Sequence, residues 1–302
     1  MMRIGLAGLG IMGRGMAKNL AAKGYPLRVW NRTPQRAKEL GGDIPTVPSP
    51  KALAEVSDVV IGCVSDDDAV ERVIFGPEDG LLAGARPGLD YIECSTVSPG
   101  LVRRVSRALE ACGCKMIEAP MTGSKLGAER GTLLFMVGGE ADVVAKLEPV
   151  LLAMGSRVIH CGPTGQGAVM KLIGNSVISF MLEGLCEGLV VAEKAGLPAK
   201  TVLDVIAASG FASPYYAFKG EAIARGDFDP HFTIDLLVKD QSLMLAEAAA
   251  QRTPMPGLAV IREVFQVARA EGLGHEDIAA VFKSLQRMAG TAPSSEGEGP
   301  RH

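Results

Sequence analysis

Apolar positions follow two rhythms along this chain. Up to about residue 162, short continuous apolar runs alternate with stretches that repeat every three to four residues. The runs at 3–7, 27–30, 58–64, 89–94, 114–118, 133–137 and 158–161 predict buried strands. Helices are predicted between them at 14–23, closed by Gly24, and at 34–40, 50–56, 69–74 and 97–112. Then comes a stretch with no proline from Ala168 to Ala195, far longer than the ~11–12 residues of an average helix. Val169, Met170, Leu172, Ile173, Val177, Ile178, Phe180, Met181, Leu182, Leu185, Leu189 and Val190 make most of its circumference apolar, which predicts a buried helix. Beyond it strand patterns vanish, and helices are predicted at 201–209, 213–225, 234–250, 257–270 and 276–286. Strand–helix alternation followed by helices alone predicts two domains. They are 1–163, an α/β domain, and 164–290, all-helical, with 164–196 as the long linking helix. The tail 291–302 is Ser, Gly, Glu and Pro with almost nothing apolar, and is expected to be disordered.

Between the first strand and the first helix stands Gly8-Leu9-Gly10-Ile11-Met12-Gly13. The spacing is G-x-G-x-x-G, and its strand–turn–helix setting within a βαβ unit strengthens it. Gly8 suits the tight turn, Gly10 lets a pyrophosphate approach, and Gly13 lets helix pack on strand. The helix N-terminus then favours the anion. The fold expected is a Rossmann-type dinucleotide-binding domain; the plainer alternative is a glycine-rich turn with no ligand. The second strand ends at Asn31-Arg32-Thr33, where an NAD-binding chain usually carries a carboxylate for the ribose 2′-hydroxyl. A carboxylate would repel a 2′-phosphate, whereas Arg32 can pair with one. The residues therefore argue for NADP(H) over NAD(H), unless Arg32 only faces solvent or stacks on adenine.

Other strand ends reach the same edge, where ligands of open α/β sheets collect. Val64 closes one strand, followed by Ser65-Asp66-Asp67-Asp68, a run expected to cap a helix. Ser95-Thr96 closes another. Ala119-Pro120-Met121-Thr122-Gly123-Ser124-Lys125 is read as a loop of hydroxyls and backbone donors suited to a carboxylate, or simply as a turn. Near the start of the long helix, Lys171 places a cation against the positive end of the helix dipole, with Asn175 four residues on and on the same face. Either Lys171 snorkels to solvent or its charge has a use.

The totals narrow the classes. The 302 residues are 47% hydrophobic and 22% charged, as in a soluble globular protein. A net charge of −3, from 31 basic and 34 acidic residues, gives no basic excess for nucleic acid or an anionic membrane. No apolar run is expected to span a membrane, and an N-terminus that enters a strand directly predicts no signal peptide. Six cysteines without a CxxC pair fit reduced thiols in a cytoplasmic protein. Four scattered histidines give no metal-ligand spacing, so no metal is expected.

Four separated motifs together resemble the β-hydroxyacid dehydrogenase family, over residues 2–288. They are Gly8-Leu9-Gly10-Ile11-Met12-Gly13, the loop Glu118-Ala119-Pro120-Met121-Thr122-Gly123-Ser124, the segment Gly165-Gln166-Gly167-Ala168-Val169-Met170-Lys171 with Asn175, and the pair Lys239-Asp240. The family's usual loop reads Asp-Ala-Pro-Val-Ser-Gly-Gly. The departure to Ser124-Lys125, with Trp30-Asn31-Arg32-Thr33, is similar to the glyoxylate/succinic semialdehyde reductase branch. The resemblance implies hydride transfer between NADPH and a small carboxylate-bearing aldehyde or hydroxy acid. It implies a nicotinamide near Thr96 and a substrate carboxylate on Thr122, Gly123 and Ser124. Lys171 becomes the general acid, oriented by Asn175, in a cleft between two domains, and Lys239 a cofactor contact. A homodimer or homotetramer is implied as well. 3-Hydroxyisobutyrate or tartronate semialdehyde dehydrogenases are the alternative within the family. Two rival readings remain: an imine reductase, though these generally carry another residue in place of Lys171, and a non-catalytic NADP-binding scaffold, though the nuclear relatives that use the fold so lack the lysine.

Overall fold

The computed structural model describes residues 1–41 and 44–291. The tail expected to be disordered lies outside them, apart from Thr291. Two compact units divide the chain, Met1–Gly174 and Asn175–His302. The division between them lies inside the long helix, after Gly174. Ala168 belongs to a core cluster of the first unit, with Val60, Val102 and Val105, so the opening turns of that helix pack with the sheet.

In the first unit, β1 (Ile4–Ala7), β2 (Leu27–Trp30), β3 (Val59–Gly62), β4 (Asp90–Glu93) and β5 (Lys115–Glu118) run parallel in the order β2-β1-β3-β4-β5. β7 (Leu133–Gly138) joins β5 antiparallel, and β6 (Met121–Thr122) and β8 (Gly155–Gly162) both pair with β7. Strands β1, β3 and β4 are buried at every position, as expected of parallel strands covered on both faces. Their helices are α1 (Ile11–Ala22), α2 (Pro34–Lys38), α3 (Pro50–Val56), α4 (Asp67–Phe75) and α5 (Pro99–Ala111). Asp66 caps α4 by accepting from the Ala69 amide at 2.8 Å, the capping role expected of that run.

Two elements replace the expected loop at 119–125: β6, and α6 (Ser124–Arg130), which begins inside it. Helix α7 (Ala141–Leu152) was not predicted, although Val143, Val144, Leu147, Val150 and Leu151 form an unbroken buried stripe; Pro149 lies inside it on the exposed face. Helix α8 (Gln166–Lys194) is the predicted long helix.

The second unit holds α9 (Ala199–Ala208), α10 (Pro214–Arg225), α11 (Ile234–Ala250), α12 (Pro256–Ala270) and α13 (Val281–Ala289). Its core gathers Leu182, Cys186, Leu189, Leu237, Phe265 and Val281. Two expectations for α8 need correction. It is not buried all round, since Val177 is 52% and Phe180 46% exposed. By length and composition it is also long and apolar enough to cross a membrane, contrary to the reading of the apolar runs; half of that stretch is buried inside the protein, as in the core helix of a globular chain.

Candidate active site

Parallel pairing carries the ends of β1 to β5 to one sheet edge. The ladder continues one residue past each strand: Gly8 donates to Trp30 O, Cys63 to Ala7 O, Cys94 to Gly62 O and Ala119 to Glu93 O. This edge therefore collects Gly8, Asn31, Val64, Thr96 and the 119–125 segment, all from the first unit.

The glycine turn divides into structural and open positions. Gly8 has φ +104° and a Cβ there would lie 2.1 Å from Cys63 O; a Cβ on Gly13 would lie 2.0 Å from Gly8 O. A Cβ on Gly10 meets nothing within 4 Å. Leu9 is fully buried, and its amide donates to Asn31 Oδ1 at 2.8 Å. Asn31 Nδ2 in turn donates to Thr33 O at 2.9 Å. Asn31 thus spends both ends of its amide tying the turn to the end of β2. Ile11 is exposed and Met12 half-buried at the start of α1, while Arg32 and Thr33 are exposed beyond β2.

Glu93, at the end of β4, is a buried carboxylate that sequence reasoning did not single out. It accepts from the Ser95 amide and the Tyr91 hydroxyl, both at 2.8 Å. Burial pushes its carboxyl up, against the pull of those hydrogen bonds. Ser95 Oγ accepts from the Val64 amide at 2.8 Å, so Glu93 fixes the strand ends that carry Val64 and Thr96.

After β5, Thr122 lies exposed on β6, opposite Leu134. Gly123 takes φ +138° and Ser124 φ +58°, a left-handed conformation that costs a non-glycine residue about 1–2 kcal/mol. Ser124→Gly relieves that strain but adds chain entropy to the unfolded state. It is expected to stabilise the protein by about 0.5–1 kcal/mol, about 1–3 °C in thermal unfolding. A lowered melting temperature would mean the Ser124 hydroxyl makes a stabilising contact.

Glu118, which opens the 118–124 motif without a role assigned to it from the sequence, ends β5. Its Oε1 accepts from the amides of Gly165 (2.6 Å) and Gly167 (3.0 Å) at the start of α8. Burial pushes the carboxyl up to about 6, against those amide bonds. Lys171 follows on α8, half-buried.

In the second unit, Asn175 is buried and its Nδ2 donates to Asp240 Oδ2 at 2.6 Å. Asp240 is itself buried, and its Oδ1 pairs with Lys239 Nζ at 2.9 Å. The expected residue Lys239 is therefore tied through Asp240 to Asn175. No group of three or more His, Cys, Asp or Glu that could hold a metal was found among the described residues.

A doubly wound sheet with an open glycine turn and a lysine-bearing helix rooted at its carboxyl edge defines a pyridine-nucleotide oxidoreductase. Residues 3–162 match the family described as the NAD binding domain of 6-phosphogluconate dehydrogenase. Residues 165–285 match the NAD-binding family of NADP-dependent 3-hydroxyisobutyrate dehydrogenase. Glyoxylate/succinic semialdehyde reductase 1 of Arabidopsis thaliana is 33% identical, over 94% of this chain and 99% of that protein. 2-Hydroxy-3-oxopropionate reductase of Escherichia coli K12 is 31% identical, over 95% of this chain and 98% of that one. The solved 3-hydroxyisobutyrate dehydrogenase of Mycobacterium tuberculosis, in complex with L-serine, aligns with a TM-score of 0.85 at 30% identity, covering 95% and 99%. The chain belongs to the β-hydroxyacid dehydrogenase family, NAD(P)-dependent enzymes acting on hydroxyl groups. The open space at Gly10, at the N-terminus of α1, fits a dinucleotide pyrophosphate.

Proposed function

We propose that this chain is an NADPH-dependent reductase of small aldehyde acids, glyoxylate and succinic semialdehyde foremost, with Lys171 as general acid. One observation carries the reading. Glu118 joins the first residue before the 119–125 segment to the first turn of the helix bearing Lys171. The substrate carboxylate is assigned to Thr122, Gly123 and Ser124. When bound, the reduced nicotinamide supplies hydride to the carbonyl carbon. Negative charge then builds on the carbonyl oxygen, where the Lys171 ammonium stabilises it and donates the proton. Asn175, held by Asp240, lies one turn further along α8 and orients the lysine or the substrate. Without Lys171 the oxygen would have to take its proton from water.

The 2′-phosphate preference rests on Arg32, exposed at the end of β2 with no carboxylate beside it in sequence. Arg32→Ala is expected to raise the KM for NADPH about tenfold to a hundredfold, the loss of one or two hydrogen bonds to a charged group, and that for NADH less than twofold. Equal losses with both cofactors would remove Arg32 from that role.

The test of the activity is oxidation of NADPH and NADH against glyoxylate, succinic semialdehyde, tartronate semialdehyde and methylmalonate semialdehyde. The two first acids with NADPH should give the highest kcat/KM. A best rate with either of the others makes the chain a tartronate semialdehyde or 3-hydroxyisobutyrate-type dehydrogenase, and rates at background with all four sink the reading. The reading takes the enzyme as a cytoplasmic homodimer or homotetramer, in keeping with the exposed Ile173, Val177 and Phe180 on α8. Light scattering that gave a monomer would remove that part.

A further inference from the structure

We propose that Glu118 is a positioning residue of this enzyme: its carboxylate fixes the first turn of α8, and through it Lys171, against the start of the substrate segment. The proposal rests on the reading of Lys171 as the acid and deepens it.

Helices commonly cap their first turn with a Ser, Thr, Asp or Asn at the residue before it. Here Gly165 stands just before α8, which has no side chain to offer. The orphan amides of Gly165 and Gly167 instead meet a carboxylate 47 and 49 positions away. Three glycines stand at the joint. A Cβ on Gly138, opposite Glu118 across the antiparallel pair, would lie 2.0 Å from Glu118 Oε1. Gly165 takes φ +101°. A Cβ on Gly167 would lie 2.5 Å from Met136 O and 2.8 Å from Gly138 N. The two glycines of the Gly165–Lys171 motif therefore serve the joint between sheet and helix.

This joint bears on chemistry because Lys171 lies in the second turn of the same helix. A slip of about 1 Å in that turn moves the ammonium by as much, and displacements of that size can cost on the order of 10²-fold in rate. The charge matters too. A carboxylate at the N-terminus of α8 offsets the positive dipole end, which otherwise opposes a protonated lysine in the second turn. Both amides meet Oε1, and Oε2 is buried with no hydrogen-bond partner among the described residues.

The anion carries this role and the acid does not. Burial raises the carboxyl to about 6, so the joint is charged above that pH and neutral below it. Charged or titratable groups around it come from several elements. Cys161 on β8 has its thiol pushed up chiefly by burial and next by Glu118. His160 on β8 places Nε2 2.9 Å from Gly139 O, next to Gly138. Glu93 lies in register on β4. Arg103 on α5 faces Gly165, where an added Cβ would lie 2.7 Å from its Nη1. Lys171 follows on α8.

The experiment compares kcat from pH 5 to 8 in the wild type, Glu118→Gln, His160→Gln and Lys171→Met, with NADPH affinity measured on each. The wild type should lose turnover as pH falls through about 6, and His160→Gln should keep that limb. Glu118→Gln should lower the plateau about tenfold to a hundredfold, flatten the limb, and leave NADPH affinity within twofold. A wild-type kcat flat across this range overturns the proposal even if Glu118→Gln does not fold. So does a limb that vanishes in His160→Gln, or a Glu118→Gln enzyme that keeps either the wild-type plateau or the limb. Should Lys171→Met keep its turnover, the reading of the acid fails instead, whatever Glu118→Gln does.

Discussion

Lys171→Met is expected to lower kcat about 10³-fold while NADPH binds as before. Met keeps the length and apolar stem of the lysine and removes the ammonium, so α8 should retain its packing. General acid catalysis and electrostatic stabilisation of the developing oxyanion each contribute about 10²–10⁴-fold in rate. Both are lost in this variant. They are one group acting once, so the losses do not multiply. The cofactor is assigned to the turn at Gly8–Gly13 and the end of β2, with no part for Lys171, so its affinity should move less than twofold. Stopped-flow hydride transfer with glyoxylate, together with NADPH fluorescence titration, separates the two quantities. Turnover within tenfold of the wild type would end the assignment of Lys171 as the acid. A parallel loss of NADPH affinity would instead place the lysine against the cofactor.

How legible was this in the sequence? The strand β2 and the helices α3 and α11 match their predicted bounds to the residue, because each is flanked by clear punctuation such as Pro50 or Thr233. The segment 119–125 was misread as structure. Its density of Gly and hydroxyls hides a two-residue strand and a helix that starts on Ser124 with a positive φ. Asn31 was legible as a residue at the sheet edge, but its local task, holding Leu9 and Thr33, is a matter of side-chain orientation that no spacing rule reports. Glu118 and Glu93 were the least legible. Each closes a short strand that also opens on a charged residue, Asp90 or Lys115, so nothing in the pattern marks the closing carboxylate as buried. Their partners lie on other turns and strands, and only the fold brings Glu118 to Gly165 and Gly167. That Lys171 lies near the start of a long helix was readable; the joint at that start was not.

Gly10→Val is expected to lower NADPH affinity on the order of 10²-fold or more while the protein folds normally. The three glycines of the turn answer to different constraints. At Gly8 and Gly13 an added Cβ would strike backbone carbonyls 2.1 and 2.0 Å away, so substitution there disturbs the sheet edge itself. At Gly10 the added Cβ would enter open space. Gly10 has φ −73° and ψ −163°, extended backbone that a β-branched residue adopts without strain. Replacing Gly at the N-cap of α1 costs about 1 kcal/mol, a shift of about 2–4 °C. The requirement for glycine is therefore external to the chain. Valine there would hold the pyrophosphate away from the amides opening α1, and losing two charge-assisted hydrogen bonds of about 1.5–3 kcal/mol each gives at least the stated drop. Gly13→Ala makes the contrast: stability and affinity should fall together. Isothermal titration with NADPH and thermal unfolding of both variants decide it. Wild-type affinity in Gly10→Val would show that the dinucleotide does not approach this turn.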